Sequence, residues 1–102
     1  MSTVNKITLS GQFQDCIPYT NQTVKLLPCH EWQGNGSSYE GMFVIDAANF
    51  IPVRVEKDYF ENNPKLFEQL QDRIIEGVLH TEVSCGSGIV SHYVEIIKCE
   101  IK

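Results

Sequence analysis

The chain has no CxxC pair, no phosphate-cradling glycine loop and no apolar run near membrane length, and each absence removes a class of function. Its four cysteines, Cys16, Cys29, Cys85 and Cys99, stand far apart, so neither a zinc cluster nor a redox pair is suggested and buried free thiols are expected. No stretch approaches the ~18 apolar residues of a membrane span, and "MSTVNKITLS" lacks a signal-peptide core. A cytoplasmic protein with no membrane partner is the expectation. "GNGSS" and "CGSG" carry turn chemistry and match neither GxxxxGK[ST] nor GxGxxG. The three histidines share no spacing that converges on a metal. Cys29-His30, and Cys85 with His92, put thiols near imidazoles without a third orienting group. No enzyme, no metal and no cofactor are expected. Basic residues are scarce as well: eight against thirteen acidic give a formal charge of -5. That balance weighs against a nucleic-acid partner, although a groove can be locally basic on an acidic body.

What is present is strand signal. With 42% hydrophobic residues over 102 positions, the chain suits a single domain, residues 1–102, around one core. "VNKITLSGQFQDC" alternates Ile7, Leu9, Gly11 and Phe13 with Lys6, Thr8, Ser10 and Gln12, the period of a half-buried strand. "TVKLLPCHEW" is weaker, and Pro28 marks it as an edge or the end of pairing. It reads either as a second barrel strand or as a loop before one. Asn35-Gly36 could make a tight turn. "MFVID" and "FIPVRVE" flank "AAN" as two short strands or one bent strand. In "ENNPKLFEQLQ" the start signals predict a short helix, with Asn63 as its cap, Pro64 in its first turn and Leu66, Phe67 and Leu70 on one side. "IIEGVLHTEV", a "CGSG" turn and "IVSHYVEIIKCEIK" close the chain as two long strands.

Strands, one short helix, then two long strands is the order of an all-β protein with one short helix: a five-stranded OB-fold β-barrel, a form that bends its long strands sharply to close. Gly11 and Gly77 offer places for those bends.

The residues that carry this reading also carry a resemblance. "NKITLSGQF" resembles the opening of bacterial single-stranded DNA-binding proteins, and Glu76, Gly77, Leu79 and Thr81 match the Glu-Gly-x-Leu-x-Thr run of their fourth strand. "FIPVRV" and "HYVEIIKCEI" resemble the primosomal replication protein N (PriB) type, a compact relative built from the OB domain alone, and the chain's length favours that compact kind. The resemblance implies binding of single-stranded DNA, or RNA, with little sequence preference, a role in replication or recombination alongside replication proteins, and a homodimer.

Such binding needs aromatic faces for stacking and cations along the phosphates. The candidates are Trp32 beside the Gly/Ser loop, Phe50 and Arg54 on one strand face, Lys57 at that strand's end, and His80 opposite Leu79. Tyr93, Phe43 and Phe67 are expected in the core, and Lys6, Lys25 and Lys98 as solvated strand charges. A second reading stays open: a small β-barrel whose partner is a protein. Its motives are the acidic balance and Ser84, which stands where the resembled family commonly places a stacking tryptophan.

Overall fold

The computed structural model describes residues 4–14, 38–46, 49–84 and 86–102, and residues 27–29 by their backbone. Six strands form: β1 (Ile7–Phe13), β2 (Leu27–Cys29), β3 (Ser38–Val44), β4 (Phe50–Glu56), β5 (Asp72–Val83) and β6 (Val90–Ile101). The helix α1 (Lys57–Asn62) and a 3-10 turn, Pro64–Phe67, lie between β4 and β5.

Five of the strands make a ring. Neighbours run β1-β5-β6-β4-β3, and β3 pairs back onto β1 through Gln12–Val44 and Phe13–Phe43. All these pairings are antiparallel except β4–β6, where Val53, Arg54 and Val55 sit beside Val94, Glu95 and Ile96 in parallel. This is the expected OB barrel. The sixth strand, β2, is only three residues long and pairs Leu27, Pro28 and Cys29 with Glu40, Tyr39 and Ser38. Of "TVKLLPCHEW" only Leu27–Cys29 lie within the described residues, and they add an edge strand beside β3, outside the ring; Pro28, without an N–H, suits that edge. "MFVID" and "FIPVRVE" are two antiparallel strands rather than one bent strand. The Asp46 carboxylate fastens their hairpin by accepting from the Asn49 backbone N–H and side-chain amide at 2.9–3.0 Å. The Asn35-Gly36 turn lies outside the described residues.

The helix begins earlier than the sequence signals predict. Lys57–Asn62 is helical, Asn63 ends it at φ -137°, and Pro64 starts a separate 3-10 turn. Proline supplies no N–H to continue α1 and disfavours helical backbone at the residue before it. Asn63 makes no side-chain cap and instead donates back to the Tyr59 carbonyl at 3.0 Å. Leu70 falls outside both elements, in left-handed backbone at φ 64° and exposed.

The core fills the ring. Phe13, Phe43, Val53, Val55, Phe67, Ile75, Val94, Ile96 and Cys99 are buried together. Phe67 packs its ring 5.5 Å from Phe13, 5.6 Å from Tyr59 and 5.1 Å from Phe60. Burying one such ring contributes on the order of 2–3 kcal/mol. The turn that carries it is held by a buried cation: Arg73 donates to the carbonyls of Lys65, Leu66 and Asp72 at 2.8–3.0 Å. A buried guanidinium is tolerated because these oxygens replace its water. Cys99 is the buried free thiol expected of it, and burial pushes its pKa up to about 11.

Both glycine positions are corners. At Gly11, β1 changes partner, since Gln12 faces Asp72 of β5 and Val44 of β3 together. A Cβ there would land on the Val44 carbonyl oxygen. At Gly77 the β5–β6 register slips: Glu76 faces Lys98 and Gly77 faces Ile96, which leaves Ile97 as the extra residue of a bulge. A Cβ at Gly77 would meet the Glu95 carbonyl oxygen, with Val94 Cγ1 at 2.6 Å.

Gly77→Ala is expected to lower stability by at least about 2 kcal/mol, because the intruding atom meets backbone that cannot step aside. Urea unfolding measures it; a loss under about 0.5 kcal/mol, the scale of an ordinary surface change, would contradict the close approach.

Candidate nucleic-acid interface

The faces of β4 are set by its alternation. Val53 and Val55 point into the core and Ile51 packs against it, while Phe50, Pro52, Arg54 and Glu56 point outward. The β3–β4 register places Val44 across from Phe50, Met42 across from Pro52 and Glu40 across from Arg54. On the other side, β6 brings Tyr93 and Glu95 to the same face, and β5 adds His80, opposite Tyr93, and Glu82. In OB barrels the second and third barrel strands, here β3 and β4, form the ligand-binding face together with neighbouring loops.

Beyond Leu79, β5 and β6 leave the ring as a two-stranded arm. Its pairs run Leu79–Val94, Thr81–His92 and Val83–Val90, and Gly86 and Gly88 turn the tip with left-handed backbone. Asn5 ties the arm to the barrel: its side chain donates to the Leu79 carbonyl and accepts from the Leu79 N–H, both at 2.9 Å. Val83, Ile89 and Val90 near the tip are exposed.

The centre of the face is an organised cluster. The Arg54 guanidinium lies 4.0 Å from the centroid of the Tyr93 ring, and the His80 ring stacks beside Tyr93 at 5.1 Å and 14°. Tyr93 is therefore buried, 4% exposed, but outside the core cluster: a cation and an imidazole cover it. Burial pushes its phenol pKa up while Arg54 pulls it the other way. Arg54, its side chain 13% exposed, is held by Glu82 at 2.7 Å and Glu40 at 3.5 Å. His80 Nε2 sits 3.0 Å from a Glu95 oxygen.

Of the five residues the sequence singles out, three share this face. Phe50, 36% exposed, stands four residues before Arg54, about 13 Å along the strand. His80 joins Arg54 through Tyr93. Lys57 opens α1 on the exposed surface and makes no ion pair with a described residue. Trp32 lies outside the described residues, as do His30, Lys25, the Cys85 thiol and the side chain of Cys29. Sequence reading missed Glu40, Glu82 and Glu95, whose positions depend on the register of three strands. The expected surface lysines pair locally, Lys6 with Glu76 at 3.4 Å and Lys98 with Glu100 at 2.8 Å. Among the described residues no group of three or more His, Cys, Asp or Glu could hold a metal ion, and no helix is long and apolar enough to cross a membrane.

No protein-family model and no curated protein matches the chain. Solved structures do match it. A small single-stranded DNA-binding protein from Streptomyces coelicolor superposes with a TM-score of 0.62 at 14% identity, covering 99% of this chain and 96% of that one. The dimeric N-terminal domain of PriB from Thermoanaerobacter tencongensis gives 0.60 at 17% identity, covering 96% of each chain. The Plasmodium falciparum single-stranded DNA-binding protein, solved in complex with single-stranded DNA, gives 0.59 at 15% identity, covering 98% and 94%. At these identities the likeness is one of fold, and it agrees with the barrel order.

Removing the Arg54 side chain uncovers Tyr93, so Arg54→Ala is expected to destabilise the protein by about 1–2 kcal/mol. Most of that is lost cover, because half-exposed carboxylates contribute little. Lys57→Ala is expected to stay within about 0.5 kcal/mol. Equal effects in urea unfolding would show that Arg54 covers nothing.

Proposed function

We propose that the chain is a single OB unit, residues 1–102, that binds single-stranded DNA on the outer face of β3, β4, β6 and β5, with little sequence preference. The observation that carries this reading is the composition of that face: an exposed phenyl ring at Phe50, apolar neighbours Met42 and Pro52, and the stacked Arg54–Tyr93–His80 group on the strands where OB barrels take their ligands. Stacking on a ring tolerates any base, and a cation–aromatic pair offers a second flat surface. The single-stranded DNA-binding proteins among the matching structures support the same assignment. Trp32 and Lys57 would add a stacking ring and a phosphate contact at the margins. A cytoplasmic role in replication or recombination, in company with replication proteins, follows from the resemblance to the PriB type, and RNA is the lesser ligand.

A homodimer through a strand edge belongs to the same proposal. The described pairings of β1 on the β3 side involve only Gln12 and Phe13, so Ile7–Ser10 has an edge to which another strand can add. Light scattering on the purified chain is expected to give twice the mass of 11.6 kDa; a monomer at all concentrations rules the dimer out. A protein partner is the second reading, favoured by the exposed Val83, Ile89 and Val90 of the arm. It predicts a stoichiometric partner that survives nuclease treatment, and recovery of nucleic acid alone counts against it.

Titration with oligo-dT, followed by the fluorescence of the sole tryptophan and by anisotropy of a labelled strand, is expected to show binding that weakens as salt rises. Phe50→Ala should weaken it at least about fivefold, the lower end of a base–ring stack. No binding at the lowest salt would remove the nucleic-acid reading.

A further inference from the structure

Three carboxylates cross the proposed face at the level of Arg54. Glu40 on β3 and Glu95 on β6 are its direct neighbours in the two strand registers, and Glu82 reaches it from β5. They already hold the two groups a phosphate would seek, Arg54 through Glu82 and Glu40, and His80 through Glu95. Among the described residues this belt sets three carboxylates against one permanent positive charge.

We propose that the belt of Glu40, Glu82 and Glu95 is a specificity determinant that admits single strands and turns away duplex. The inference rests on the nucleic-acid reading above and names how the site selects its ligand. A single strand can lay its bases on the exposed Phe50 ring and against the Arg54 guanidinium that covers Tyr93, and swing its phosphates toward solvent. A duplex has its bases paired inside and can offer only its phosphate surface, with one charge per ~1.7 Å against ~3.4 Å for one strand. Each phosphate brought to ~4 Å from a carboxylate is disfavoured about fivefold even in water. Arg54 offsets less of this repulsion while Glu82 and Glu40 engage it. The belt thus opposes duplex more than it opposes a strand bound by its bases.

The test compares wild-type protein with Glu40→Gln/Glu82→Gln and with Glu76→Gln/Glu100→Gln, which removes the same charge from the ion pairs with Lys6 and Lys98 elsewhere on the surface. Affinities for a labelled dT strand and for a duplex of equal length are measured across salt, with folding checked by circular dichroism. In the belt variant duplex affinity is expected to rise about tenfold or more, from two repulsions of about fivefold each. Single-strand affinity should rise less, with a salt slope steeper by about 0.7 as Arg54 becomes free for a phosphate. The preference for single strands falls accordingly. In the control variant both ligands should gain by the same small factor. Glu82→Gln alone, which keeps the Glu40 contact, should show the same trend if the double variant folds poorly. Equal gains for strand and duplex in the belt variant, or a control that changes the preference as much, overturn the belt and leave single-strand binding standing. Absence of binding to either ligand by wild-type and belt variant alike, at the lowest salt, overturns both.

Discussion

Ring closure is the constraint on which the other features depend. Five strands can surround so small a core only if some of them, here β1 and β5, bend hard, and bending brings backbone against backbone. At Gly11 and Gly77 the neighbouring carbonyls of Val44 and Glu95 occupy the volume that a side chain would need. The slip that leaves Ile97 as a bulge lies at the same corner. Past that corner, among the described pairings, β5 meets only β6, and β6 meets β4 only at Val94 and Glu95, so the two strands project as an arm. The corner and the projecting element are thus two results of one geometric requirement.

The face above β4 shows how a surface can be ordered without being part of the core. Tyr93 is as buried as the core aromatics, yet what buries it is Arg54 and His80. The carboxylates that position those two groups come from strands on either side. Order on this face is therefore electrostatic and spread over four strands, whereas order inside the barrel rests on packing around Phe13, Phe43 and Phe67. The two meet at β4, whose alternate residues serve one each.

Much of the barrel was legible because period-two alternation survives in the sequence wherever a strand has one wet face. Ile7 to Phe13 and Ile51 to Val55 read directly, and so did both glycines, since a residue without a side chain in a strand signals a close approach. The helix was displaced because Asn63 and Pro64 resemble a helix start, and the same pair also ends one; proline's missing N–H allows either. β2 was ambiguous because three residues, one of them a proline, carry too little pattern to separate strand from loop. On the face, Phe50 and Arg54 were found from alternation alone, and His80 from its parity with Leu79. The acidic partners could not be found that way. Glu40 and Glu82 reach Arg54 only through registers set by the whole ring, and no spacing along the chain records them.

Asn5 gives the arm a mechanical property. Its carboxamide imitates a peptide unit, receiving one hydrogen bond from Leu79 and returning another, so the ladder between β1 and β5 gains a rung beyond the last paired residue. The base of the arm is thus fastened on both flanks, to β1 through the Asn5 carboxamide and to β4 through the Glu82–Arg54 ion pair.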